Sequence, residues 1–63
     1  MKVKDLMHVL PINVNRVYRD RTNGIIIDYY NMNRIDKMNF RERTIYLMTP
    51  TKKNEIDVLV YEC

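Results

Sequence analysis

Alanine, serine, glutamine and tryptophan are absent from this 63-residue chain, and glycine, histidine and cysteine each occur once. Without serine there is no serine nucleophile and no Ser-His-Asp triad. The single glycine, Gly24, leaves no room for a glycine-rich phosphate-binding fingerprint. His8 and Cys63 together cannot build a structural zinc site, and a lone cysteine cannot close an intrachain disulfide. The acidic residues are scattered, with no paired spacing that suggests an acid–base dyad. No catalytic residue, metal ligand or cofactor is therefore expected, and the chain reads as a binder and not as an enzyme.

Long apolar runs are also missing. No stretch approaches the roughly 20 apolar residues of a membrane helix. No leader pattern is visible, because Lys2, Lys4, Asp5 and His8 interrupt the apolar residues at the start. A cytoplasmic location is expected, that of the host cell where the gene is viral. Cys63 is read as a free thiol, or else as one half of an intermolecular disulfide after oxidation.

What is present fits one small domain spanning residues 1–63. Apolar residues make up 46% of the chain, enough for one thin core and too little for a deep catalytic cleft. The net charge of +3 favours an acidic protein surface or nucleic acid as partner. Asn, Ile, Lys and Tyr are abundant, a composition that AT-rich codons produce.

Val3, Leu6, Met7 and Leu10 fall at i, i+3, i+4 and i+7, the apolar stripe of a short helix, and Pro11 ends it. The period then changes. Val14–Arg21 and Ile25–Tyr30 read as strands around an Asn23-Gly24 turn. A two-residue turn sets Tyr18 opposite Tyr29 and Arg19 opposite Asp28, and gathers Tyr18, Ile25, Ile27 and Tyr29 on the core side. Asp20 is the misfit in that register, which a longer loop would relieve. A bulge at Asn15-Arg16 would reconcile Val14 with Val17. Asn31–Asn39 reads as a connection, either a single helical turn or a loop, with Met32, Ile35 and Met38 spaced by three. Arg43–Met48 and Glu55–Glu62 read as two further strands. The expected fold is α+β: a short N-terminal helix packed on a four-stranded antiparallel sheet made of two β-hairpins.

The helix covers one sheet face, leaving the other open with Ile26, Tyr30, Tyr46, Met48, Leu59 and Tyr61. That is unusually apolar for a solvated face. Arg16, Arg19 and Arg21, with Arg34, Arg41 and Arg43, form the charge pattern, in which Arg19 with Arg21 and Arg41 with Arg43 make short stripes at strand ends. They suit bidentate contacts to phosphate or carboxylate, and equally ion pairs with Asp28, Glu42 and Asp57. The candidate partner-binding set is therefore Arg16, Arg19, Arg21, Tyr30, Arg41, Arg43, Tyr46, Leu59 and Tyr61. Tyr and Arg serve protein hot spots as well as base stacking, so a nucleic-acid regulator stands beside a protein binder. A second copy would hide the open face most simply, so a homodimer is compatible with either.

The Met1-Lys2-Val3-Lys4-Asp5-Leu6 start, the following proline, the Gly turn, Arg41-Glu42-Arg43-Thr44-Ile45 entering a strand and the closing Glu55–Glu62 strand together resemble a type of small protein. They resemble the accessory proteins of phages and prophages of low-GC Gram-positive bacteria. Some phage proteins of this size inhibit host defence systems, anti-CRISPR proteins among them. The resemblance implies a stoichiometric inhibitor or modulator of a host protein or nucleoprotein, and it assigns no site residue.

Overall fold

The computed structural model describes residues 1–62, so Cys63 and the thiol chemistry expected of it lie outside the described residues. Helix α1 (Val3–Val9) is followed by strands β1 (Asn15–Asp20) and β2 (Ile26–Ile27) and a 3-10 turn at Tyr29–Asn31. Helix α2 (Arg34–Arg41) and strands β3 (Ile45–Lys52) and β4 (Glu55–Val60) complete the chain. The result is a small α+β fold with two helices and a four-stranded mixed sheet in the order β2-β1-β4-β3.

The stripe of α1 packs as its spacing requires. Val3 and Leu6 are buried, and Met7 and Leu10 sit half-buried against the core. The Asp5 carboxylate accepts the Lys2 backbone N–H at 3.0 Å, closing the first turn. Backbone bonds then tie this end to the start of β3: Val3 N–H donates to Arg43 O at 3.0 Å, and Ile45 N–H to Met1 O at 2.8 Å.

The expected all-antiparallel sheet is corrected. β1 and β2 are antiparallel, as are β3 and β4, but β1 and β4 lie side by side in parallel, with Tyr18 opposite Val58. Parallel neighbours need a long crossover, usually helical. Here the chain between β2 and β3 supplies it, carrying β3 to the far edge so that β4 returns between β3 and β1. The segment expected to be a loop or a single turn is helix α2, capped by Asn33, whose Oδ1 accepts Asp36 N–H at 2.8 Å.

The first turn is longer than a two-residue Asn-Gly turn, and the register moves by two. Tyr18 pairs with Ile27 and Arg19 with Ile26, so neither Tyr18–Tyr29 nor Arg19–Asp28 is a cross-strand pair. Asp20, the misfit of the shorter turn, is the organiser of the longer one. Its carboxylate accepts Thr22 N–H at 2.7 Å, and its carbonyl accepts Gly24 N–H at 2.8 Å. Gly24 sits at φ +71°, where a residue without Cβ is favoured. β2 is cut to two residues, and Tyr29 and Tyr30 leave the sheet for the 3-10 turn. The bulges fall in β3, between Ile45 and Leu47 and between Pro50 and Lys52, and not at Asn15-Arg16.

Both helices cover one sheet face. The core there is Val3, Leu6, Tyr18, Tyr29, Phe40, Val58 and Val60. Tyr18 meets Phe40 edge-on at 5.0 Å and Tyr29 at 5.7 Å between ring centroids. Ile27 is half-buried beside them, while Ile25, expected in the core, is exposed.

Candidate partner-binding surface

Sheet alternation builds the uncovered face. Tyr18, Val58 and Val60 turn inward, so Val17, Arg19, Asp57 and Leu59 turn outward. On β3 the parity changes at Tyr46. The bulge adds one residue there, and Leu47, not Tyr46, lies opposite Leu59. Tyr46 and Leu47 therefore share the open face, each about half-exposed.

At one end of this face Arg21 leaves β1, its backbone N–H fixed on Val60 O at 2.9 Å. Its guanidinium carbon lies 4.5 Å from the Tyr46 ring centroid and 4.9 Å from that of Tyr61. The two rings meet edge-to-face at 5.5 Å and 85°. Tyr61 is held by its N–H on Thr44 O at 3.0 Å. Each contact is attractive, since the ring face is electron-rich and the ring edge electron-poor. The cluster is thus an exposed, pre-ordered unit of one cation and two aromatics, flanked by Leu47 and Leu59, with Ile26 exposed at the opposite edge of the sheet.

Arg19 shares this face but is already engaged. Its Nε donates to Asp57 Oδ1 at 2.8 Å, and its terminal nitrogen reaches Gly24 O at 3.4 Å.

Five of the nine expected residues, Arg19, Arg21, Tyr46, Leu59 and Tyr61, come together on the open face. The other four lie on the helix-covered side. Arg16 is half-buried on the Tyr18 side of β1, and Arg43 stacks on Phe40 with its guanidinium carbon 5.2 Å from the ring centroid. Arg41 donates from Nε to the Tyr29 hydroxyl at 3.0 Å. Tyr30 stands off the sheet, exposed, with its ring edge-on to Tyr29. Met48, expected on the open face, pairs with Val58 and so has the opposite parity.

A second surface escaped the sequence reading. Two grooves of about 490 Å³ each run beside α2 and share Met38 and Arg41. One is lined by Lys4, Met7, His8 and Glu42 as well, the other by Met32, Arg34 and Lys37. The Glu42 carboxylate takes Lys2 Nζ and Lys4 Nζ at 3.1 Å each, and these hydrogen bonds hold its pKa below the usual carboxylate range. The signal for this surface was available. Asn33 with Asp36 three residues on is a helix start, and Arg34, Lys37 and Arg41 then fall on one flank.

Among the described residues no three of His, Cys, Asp and Glu converge as metal ligands, and no helix is long and apolar enough to cross a membrane. Compared with protein-family models, curated proteins and solved structures, the chain matches none of them.

Proposed function

We propose that this chain is a small binding protein without catalytic activity, one that attaches stoichiometrically to a host protein or nucleoprotein through the uncovered face of its sheet. The phage-type, anti-defence role implied by the sequence resemblance is the setting this reading takes, with the cytoplasm as its location. The observation that carries it is Arg21 held between Tyr46 and Tyr61 on a face that neither helix covers. Tyr and Arg are the residue types enriched at protein-interface hot spots, and pre-ordering them lowers the entropy lost on docking. Leu47 and Leu59 beside them add apolar area. Arg19, neutralised by Asp57, leaves little free charge for phosphates on this face, which favours a protein surface over bases there.

The test is co-elution on gel filtration with purified host defence complexes, a CRISPR effector nuclease first, paired with inhibition of that effector in cells. A one-to-one complex is expected, weakened about thirtyfold or more by Tyr61→Ala or Arg21→Ala, the size of a hot-spot loss. Absence of co-elution with every defence complex, together with no inhibition in cells, overturns the reading. Light scattering on the isolated chain at micromolar concentration gives its oligomeric state. A homodimer through the same face would have to dissociate before the partner binds.

A further inference from the structure

A row of three cations outside any ion pair lies along α2, apart from the exposed Lys52 and Lys53 where β3 turns into β4. Three ion pairs form among the described residues, and they engage Lys2, Lys4 and Arg19. Arg21 and Arg43 stack on aromatic rings. Arg34, Lys37 and Arg41 have no carboxylate within ion-pair distance among the described residues. Their spacing of three and four places them on one flank of the helix, where they line a groove of about 490 Å³ with Met32 and Met38. The one carboxylate on the helix, Asp36, is two residues from Arg34 and so about 200° around the axis, away from the groove. Glu42, at the end of the adjoining groove, is already saturated by two lysines.

The cations are also held in place. Arg41 spends its Nε–H on the Tyr29 hydroxyl, which fixes the guanidinium and leaves its terminal nitrogens free. Lys37 Nζ lies 5.6 Å from the centroid of the same tyrosine ring and keeps its N–H donors. From Arg34 to Arg41 the helix rises about 10 Å. That is about three steps of 3.4 Å along one strand of a duplex, a span that offers a separate phosphate to each of the three cations.

We infer that this flank of α2 is a binding site for the phosphate backbone of nucleic acid, with Arg34, Lys37 and Arg41 each taking one phosphate. With all three cations taken up by phosphates, binding there is independent of sequence. The site lies on the helix side, away from the sheet-face cluster, and can stand or fall without it. Together the two faces suit a nucleoprotein target: protein on one side, backbone phosphates on the other.

The test is fluorescence anisotropy of a short fluorescein-labelled mixed-sequence DNA duplex, titrated with the full chain across a salt series. Micromolar binding is expected at low salt, with log K falling against log salt at a slope near −2.7 for three phosphates. Arg34→Gln/Lys37→Gln should move that slope to about −0.9, and Arg34→Lys/Lys37→Arg should leave it unchanged. Arg21→Ala should also leave it unchanged. No binding at low salt overturns the proposal. So does a slope insensitive to the glutamine pair, or loss of binding in the charge-conserving pair. Equal competition by poly-glutamate at matched charge overturns it too, in favour of an acidic protein partner.

Discussion

Arg19 and Asp57 join the two parallel central strands, the Nε of one 2.8 Å from the carboxylate oxygen of the other. The pair is partly exposed, so its contribution is that of a surface ion pair and not of a buried one. Asp57→Ala is expected to lower stability by about 1 kcal/mol or less, read from the urea midpoint. Its second effect is electrostatic: an unpaired Arg19 now stands beside Leu59. Nucleic-acid affinity should then become partly dependent on the sheet face, so that Arg19→Ala weakens it in the Asp57→Ala background and not in the wild type.

The Tyr18 hydroxyl is enclosed in the core without a hydrogen-bond partner among the protein atoms. Burial pushes its pKa from 10 up to about 12, with Arg16 pulling weakly the other way. A buried hydroxyl left unpaired costs about 1–3 kcal/mol, so Tyr18→Phe should be neutral or stabilising although it touches the centre of the core. The pH dependence follows from the direction of the shift. The folded pKa lies above the unfolded one, so the unfolded state gives up its proton first. Stability is whole below pH 10 and falls as pH rises towards 12. Chemical denaturation across that range should show a shallower alkaline loss for Tyr18→Phe than for the wild type. An equal loss would mean that other groups carry the alkaline transition.

Glu42 shows the opposite sign. Lys2 and Lys4 hold its carboxyl below the ordinary range, so what it contributes is present above the unfolded pKa and disappears as pH falls through the folded one. Because the carboxylate is exposed, the expected stability effect is small and screened by salt. Glu42→Gln should remove the acid-side part of the dependence and free two lysines at the edge of the α1–α2 groove. A steeper salt dependence of duplex binding than in the wild type is the accompanying outcome.

The parts of the fold legible in sequence are those decided by one periodic face. Val3, Leu6, Met7 and Leu10 mark α1, and Ile56, Val58 and Val60 mark the inner side of β4. Helix α2 is hidden in the sequence because its buried contribution is the single residue Phe40, while Ile35 and Met38, spaced by three, are exposed. The parallel β1–β4 pairing was hidden for a different reason. It joins residues about forty positions apart, and no local pattern distinguishes it from two adjacent hairpins. At the candidate site the residue types were legible and their grouping was not. Strict alternation sets Tyr46 opposite to Leu47, and only the extra residue of the bulge puts both on the open face, Leu47 across from Leu59 and Tyr46 against Tyr61.

Asn33 is the residue on which that hidden helix depends. Its side chain takes the Asp36 N–H, one of the donors that the first turn of a helix leaves without a partner. With eight residues, α2 is too short to persist by propensity, so it relies on this cap and on the docking of Phe40. Asn33→Ala should cost about 1 kcal/mol, and Asn33→Asp should be tolerated because a carboxylate caps equally well. The consequence reaches beyond stability. Arg34 is the residue directly after the cap, and fraying of the first turn would take it out of line with Lys37 and Arg41. Asn33→Ala is therefore expected to weaken duplex binding at low salt while leaving the chain folded by circular dichroism, and Asn33→Asp to restore the helix but bind less tightly than wild type, since it adds a negative charge beside Arg34. Full duplex affinity in the alanine variant would mean that the three cations act as independent solvated charges and not as an ordered row.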